Sequence, residues 1–585
     1  MKQNTKILLT AVNAKYIHSN LAIYSLRAYA KPYVQNIELA EYTINNYVDD
    51  ILMGIYEKKP DIIAFSCYIW NINLILEVAK ELRKVLPKAK IWLGGPEVTY
   101  EAHKILEKFE FIDGIMVGEG ERTFLNLCEY YIDGTRTIDA VRGISYRESA
   151  KKEVETIEDM SADTIVEALP QEPMNMDEIP FVYEHMEDFQ NKIIYYETSR
   201  GCPYSCSYCL SSIDKKVRLR SVELVKKELQ FFIDAKVPQV KFVDRTFNCN
   251  RRHTMEILNF IKEADQGITN FHFEVSADIL NDEEIKMFNS LRPGLVQLEI
   301  GVQSTNDMTL DAIRRKMDFQ KLSGIVKRIY APRNIHQHLD LIVGLPYEDL
   351  ASFKKSFNDV YALHPDQLQV GFLKVLSGSY MVEQSKQHGI VYKSIAPYEV
   401  LYTNYISYDE VLLLKRVTEL VEVYYNSMQF NNSIEYLEHF FETPYELYEA
   451  IADFYVRKGI YGLSQSRMNR YYLLKEFMEQ LENCSDSQKK AFSQILLYDL
   501  YLREKLKSRP TFTDNTMLEK RRIKELMEEN VAVTEGVKLY HIEPFSIDLR
   551  KSIKTGTLVE GETVVFFDYD HRDRLSHDAT ITIMT

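Results

Sequence analysis

Long apolar runs are absent: nothing in the 585 residues reaches the roughly 18 consecutive apolar side chains that a membrane span requires. The stretch from Ile7 to Val12, behind Lys2 and Lys6, is too short for the core of a signal peptide. A soluble, cytoplasmic protein with no membrane partner is the expectation. An excess of positive charge is missing too. The chain has 71 Lys and Arg against 86 Asp and Glu, a net charge of −15, which opposes nonspecific attraction to nucleic acid. Cysteine is scarce and odd in number, seven in all, so a disulfide framework is disfavoured and any local cluster reads as metal binding or catalysis. Solenoid repeats and low-complexity tracts are also absent. The 45% hydrophobic and 27% charged fractions are ordinary globular values that supply several cores, and the length argues for more than one packed unit.

From the N-terminus, five β-branched runs alternate with five helical patterns: Ile7 to Val12, Ile37 to Tyr42, Asp61 to Ser66, Ile91 to Leu93 and Ile112 to Val117 are the strand-like ones. Strict alternation predicts a Rossmann-like, doubly wound and mostly parallel sheet over residues 1–145, with ligands beyond the carboxyl ends of its strands. Asn13, Ser66 with Tyr68, Gly94-Gly95-Pro96-Glu97 and Gly118-Glu119-Gly120-Glu121 occupy those ends. A charged, proline-punctuated segment, 146–190, reads as a linker or strap. Six further strand-like runs from Ile193 to Phe372 predict a partial (β/α)6 barrel over 191–390, its functional loops at the strand carboxyl ends. Beyond it, 391–585 reads as a mostly helical region, with helices around Tyr408 to Tyr425 and Tyr471 to Leu481. It ends in a short β tail at Val537 to His541 and Thr563 to Tyr569. The polar stretch Asp568 to Arg574 reads as a solvated loop or as a cap on the barrel mouth.

The most specific signal follows the first barrel strand: Arg200-Gly-Cys-Pro-Tyr-Ser-Cys-Ser-Tyr-Cys209, a Cys-x3-Cys-x2-Cys spacing. Three thiolates, Cys202, Cys206 and Cys209, can hold three corners of a 4Fe-4S cluster and leave the fourth iron open to a substrate or cofactor. Gly201 and Pro203 suit the sharp bends of such a loop. A structural zinc site is the competing reading, but zinc wants a fourth ligand and no second Cys pair or His lies nearby.

The motif resembles the signature of radical S-adenosylmethionine (SAM) enzymes, with Tyr208 as the aromatic before the last cysteine. The resemblance implies a 4Fe-4S cluster whose open iron is chelated by SAM, and one-electron cleavage of SAM to a 5'-deoxyadenosyl radical. It also implies SAM contacts from Tyr208, Asp244 (in place of the usual Gly-Gly-Glu), Glu274, Glu299 and Gln303, with Gly344-Leu-Pro346 shaping the adenine end. Each carboxylate has an alternative as the ion-pair partner of a cation such as Arg245 or Arg314.

The glycine loops of the N-terminal sheet resemble the cobalamin-binding domain of cobalamin-dependent radical SAM proteins, which carry Gly-Gly-Pro and Gly-Glu-Gly-Glu there. On that resemblance Ser66, Gly94, Gly95, Gly118, Glu119 and Gly120 would border cobalamin; taken alone, such glycines serve equally as tight turns. The Asp-x-His-x-x-Gly axial-histidine motif is missing, and His18 reads as a polar loop residue, so cobalamin is expected without a histidine lower ligand. The last 195 residues resemble an uncharacterised extension in a bacterial branch of these proteins.

The resemblance implies methylation of an unactivated carbon, with a low-potential electron donor and a small-molecule or peptide substrate. A radical rearrangement or oxidation, and a noncatalytic iron-sulfur or cobalamin sensor, are the alternatives. A methylthiotransferase is disfavoured, because only Cys67 and Cys128 precede position 200 where a second cluster would need three cysteines. No catalytic acid or base is assigned.

Overall fold

The computed structural model describes residues 5–151, 164–513 and 518–584. Its N-terminal sheet has seven strands: β1 (Ile7–Asn13), β2 (Ile37–Thr43), β3 (Ile62–Ser66), β4 (Lys90–Gly94), β5 (Gly114–Met116), β6 (Ile144–Arg147) and β7 (Ile165–Glu167). Their order is β2-β1-β3-β4-β5-β6-β7. The first five are parallel. Strands buried on both faces divide their side chains between two cores: Leu8, Val12, Ile63 and Phe65 enter one, Ile7, Leu9, Ala11 and Ala64 the other. The doubly wound expectation therefore holds for β1 to β5.

Strands β6 and β7 pair antiparallel at the edge. Strand β7 lies in the segment read from composition as a linker. At three residues, with a burial pattern that is only partial, it is too short to impose a period on the sequence.

The central sheet follows, with β8 (Ile194–Tyr196), then a small hairpin of β9 (Ser199–Arg200) and β10 (Arg218–Leu219), and then β11 (Gln239–Phe242), β12 (Asn270–Val275), β13 (Val296–Gln303), β14 (His336–Val343) and β15 (Gln367–Phe372). Six of these take the order β15-β14-β13-β12-β11-β8, and β8 with β11, β11 with β12, and β13 with β14 run parallel. This is the parallel sheet of a partial (β/α) barrel.

The chain divides into two compact units. The first holds 1–287, 311–316 and 372–404, so it includes the N-terminal sheet, β8 to β12 and a returning strap with the short strands β16 (Val391–Tyr392) and β17 (Val400–Tyr402). The strap is fastened at the carboxyl edge of the N-terminal sheet. Tyr398 donates to Glu97 (2.6 Å), Ser377 to Glu101 (3.1 Å) and Asn73 to the Ala396 carbonyl (3.2 Å).

The second unit holds 288–310, 317–371 and 405–585. Helices Tyr408–Val421, Pro444–Arg457, Arg467–Gln480 and Asp486–Arg503 form most of its C-terminal part. Several tyrosines of this core are buried with their hydroxyls partnered: Tyr424 meets Tyr455 at 2.7 Å, Tyr425 donates to the Pro365 carbonyl at 2.5 Å and Tyr471 to that of Gln429 at 3.0 Å. The chain ends in an antiparallel sheet of β18 (Tyr540–Ile547), β19 (Glu560–Arg572) and β20 (Ala579–Met584). The stretch from Asp568 is thus strand up to Arg572, not loop; Asp573 then closes a turn by accepting from the backbone N–H of Leu575 (2.9 Å) and Ser576 (2.7 Å). Among the described residues no helix is long and apolar enough to cross a membrane.

Candidate functional site

A cavity of about 1110 Å³ lies in the first unit. One wall is the carboxyl edge of the N-terminal sheet, with Ser66, Gly94, Gly95, Gly118, Glu119 and Gly120; the other includes Tyr208, Cys209 and Glu274. Two separately read motifs therefore share one space.

The cysteine loop hangs from the β9–β10 hairpin. Gly201 has φ +94°, and a Cβ there would sit 2.6 Å from the Lys216 carbonyl oxygen and 3.0 Å from that of Asp214, so only glycine fits. This close approach lets the Cys202 N–H donate to the Asp214 carbonyl (2.9 Å). Within the loop the Ser207 N–H donates to the Ile313 carbonyl (2.9 Å), and the Ser207 carbonyl accepts from the Met381 N–H (2.8 Å). Cys202 and Cys206 are buried, Cys209 is half-buried, and none is in a disulfide.

The sulfur spacing tests the ligand. A tetrahedral zinc with Zn–S bonds of about 2.3 Å would bring its sulfurs to about 3.8 Å from one another. The three cysteine sulfurs do not all lie within 4.8 Å of one another; among the described residues only Glu299, His338 and Asp340 form a potential metal-ligand trio that compact. The close approach that a single tetrahedral ion asks for is therefore not present among the three cysteines. Arg315 Nη1 lies 3.7 Å from Cys206 Sγ, and the Thr246 hydroxyl 3.6 Å from Cys202 Sγ. Burial pushes the Cys206 thiol up, an effect that Arg315 only partly offsets. Metal binding, which displaces the proton, relieves that burial cost.

Gly95 (φ +114°) packs against the backbone of Cys67, whereas the space where a Gly118 Cβ would point (φ +81°) holds no heavy atom within 4 Å. An open, side-chain-free edge suits a large planar group, and the residues present fit a corrin. Among the described residues His18 is the one histidine lining the cavity, and its Nδ1 is hydrogen-bonded to the Tyr195 hydroxyl at 2.6 Å.

The remaining expected contacts separate. Tyr208 and Glu274 line the cavity. Asp244 is fully buried and accepts from the Thr198 N–H (3.1 Å), the Thr198 hydroxyl (2.7 Å) and the Ser199 hydroxyl; burial raises its carboxyl to about 6 against those donors. Thr198 and Ser199 thereby tie it to the strand end that feeds the cysteine loop. Glu299 and Gln303 lie on β13 in the second unit. Glu299 is grouped there with His338 and Asp340, and Gln303, with φ +75°, sits at a register shift.

Glu119 lines the wall and is also an ion-pair partner. It accepts from Arg218 Nη1 (3.2 Å) and Nη2, and lies 3.3 Å from Arg200 Nη1. Glu121 takes Arg200 Nη2 at 2.6 Å and Nη1 at 3.3 Å. Burial would raise both carboxyls, but the arginines hold them below the usual range. The sequence reading missed these arginines and Arg315. Arg200 does stand two residues before Cys202, and a cation so placed was the available signal.

Comparison with known proteins gives three matching families: "B12 binding domain" over residues 7–128, "Radical SAM superfamily" over 196–360, and "Protein of unknown function (DUF4080)" over 386–567. The chain joins a B12-binding domain, a radical SAM domain and a DUF4080 extension. Curated relatives include the cobalamin-dependent radical SAM methyltransferase TokK of Streptomyces tokunonensis, 28% identical over 59% of this chain and 51% of TokK. Another is the 2-(S-pantetheinyl)-carbapenam-3-carboxylate methyltransferase of Streptantibioticus cattleyicolor, 27% identical over 52% of this chain and 45% of that protein. The match thus spans about half the length of these two relatives. Among solved structures, OxsB with aqua-cobalamin and SAM bound aligns with TM-score 0.56 at 16% identity over 94% of this chain and 83% of OxsB. TsrM from Kitasatospora setae, with cobalamin and a [4Fe-4S] cluster, aligns with TM-score 0.52 at 17% identity over 67% and 80%. At these identities the likeness is one of fold.

Proposed function

We propose that this radical SAM protein is a cobalamin-dependent enzyme that methylates an unactivated carbon of a small molecule or peptide, drawing electrons from a low-potential donor. Cys202, Cys206 and Cys209 would hold a 4Fe-4S cluster, Tyr208 and Glu274 would border SAM, and Ser66 with Gly94, Gly95, Gly118 and Gly120 would border cobalamin. When bound, the cluster and SAM supply one-electron chemistry at carbon, and cobalamin supplies a transferable methyl group. The observation that carries this reading is the shared cavity, which meets the glycine edge of the sheet on one side and the cysteine loop on the other.

The chain's own residues do the positioning. Arg315 sets positive charge beside Cys206, where thiolate charge accumulates. Asp244 fixes Thr198 and Ser199, and with them the entry to the loop. Glu274 offers a carboxylate to the polar end of a ligand in the cavity.

Anaerobic purification with iron, sulfide and hydroxocobalamin supplied tests the reading. The expected protein carries one four-iron cluster and one cobalt per chain, and releases 5'-deoxyadenosine with SAM and a strong reductant. Zinc in place of iron, or absence of cobalt, would refute the corresponding half. Deuterated methyl-SAM with candidate substrates separates methyl transfer from rearrangement.

A further inference from the structure

We infer that the glutamates of the Gly118–Glu121 loop are positioning residues for the cysteine loop, so that a ligand seated on the sheet edge governs how firmly the cluster cysteines are held. This rests on the cofactor reading above and assigns Glu119 and Glu121 a part within it.

The loop offers its two kinds of group to different partners. Gly118 and Gly120 contribute backbone to the cavity wall. The carboxylates between and after them reach the hairpin that carries the cysteines. Glu121, buried, receives Arg200 and the Ser25 hydroxyl (3.2 Å). Glu119 receives Arg218 and the Met174 N–H (3.0 Å). Arg200 and Arg218 are cross-strand partners of the β9–β10 hairpin, so the two acids grip both strands at the loop's root. Arg200 also binds Glu197 through Nε (3.0 Å to each oxygen), and Arg218 binds Asp214 (3.0 Å), whose carbonyl accepts the Cys202 N–H.

A side chain held by charge-assisted bonds at its tip and by backbone at its base transmits a shift of one to the other. A ligand pressed on Gly118 and Gly120 would therefore act on Cys202 through a short chain of bonds, all within the first unit.

The test uses the full-length chain, purified anaerobically under reductant and without iron, pulsed with iodoacetamide and mapped cysteine by cysteine. In the wild type, hydroxocobalamin is expected to slow labelling of Cys202 and Cys206 by about fivefold or more, the low end of ordinary coupling between sites. In Glu119→Gln and Glu121→Gln the protection should largely vanish while hydroxocobalamin still co-elutes with the protein. Arg122→Gln, which removes the Arg122 contacts with Glu178 and Tyr29 and touches neither hairpin arginine, should retain it.

Protection that survives in both glutamine variants overturns the inference. So does a wild type that binds hydroxocobalamin without protecting those cysteines. If Glu121→Gln also exposes the buried Cys67 and Cys128, the fold has loosened, and Arg200→Lys decides instead: loss of protection there supports the clamp and retention refutes it. A wild type that takes up no hydroxocobalamin refutes the cofactor reading itself, an outcome visible before any variant is made.

Discussion

Arg200 donates to both oxygens of Glu121, at 2.6 and 3.3 Å, across 79 positions of sequence. The pair is little exposed, with side chains at 18% and 6%. Removing the cation leaves a buried carboxylate without its main counter-charge. Arg200→Ala is therefore expected to cost about 3–5 kcal/mol, as for other broken buried pairs, and Arg200→Lys less, because a single ammonium cannot reproduce the forked contact. Denaturant titration of the two variants beside the wild type measures both, and equal stability of Arg200→Ala and wild type would contradict the pairing.

Gly201→Ala addresses the cysteine loop itself. The added methyl meets two carbonyl oxygens, those of Lys216 and Asp214, and asks an L-residue to hold φ +94°, a strain of about 1–3 kcal/mol before the clash is counted. The backbone must move, and the Cys202 to Asp214 hydrogen bond is the nearest to yield. Iron per chain is expected to fall severalfold on reconstitution, whereas cobalt content should stay near the wild-type value. Loss of both metals together would point to general unfolding.

How much of this was legible beforehand depended on distance along the chain. The alternation that made β1 to β5, and the cysteine spacing, are local patterns, so they survived translation into structure. Arg315 stands 109 positions after Cys206 and carries no local signature, because a single arginine on the surface looks the same in sequence. The strap is a similar case: Tyr398 reaches Glu97 over 301 positions, and only the folded barrel brings the chain back. The resemblance puts Glu119 beside cobalamin, and nothing local in the sequence shows that its side chain also pairs with Arg218 and Arg200. The family resemblance could place Asp244 near the site but could not show that it accepts from Thr198 and Ser199.

Arg315 gives a prediction about electrochemistry. With a cluster held on Cys206 as proposed, a full positive charge 3.7 Å from its Sγ would favour the reduced, more negative state. A unit charge acting over about 6 Å at an effective dielectric of about 20 is worth nearly 3 kcal/mol by Coulomb's relation, or about 100 mV for one electron. Arg315→Gln, which keeps a hydrogen-bonding group, should retain its iron and shift the potential negative by that order. A redox titration followed by electron paramagnetic resonance reads the change, and an unmoved potential would remove Arg315 from the site.

The DUF4080 region carries a pH dependence of its own. Asp499 is buried among helices of the second unit and accepts from the N–H of Ser433 (2.8 Å) and the amide of Asn432 (2.6 Å). Burial nevertheless pushes its carboxyl up to about 6, because these donors offset only part of the lost hydration. The unfolded chain holds the same group near the usual value of about 3.9. With the folded value the higher one, the stability this group contributes is full below about pH 4 and is lost as pH rises through about 6. Linkage puts the loss at about 2 kcal/mol between pH 4 and 8. Asp499→Asn has no proton to lose, so its stability should fall below the wild type at low pH, where its amide hydrogens face donors, and approach it as pH rises. Urea titrations at several pH values measure the gap, and a gap that stays constant would mean Asp499 is ionised throughout.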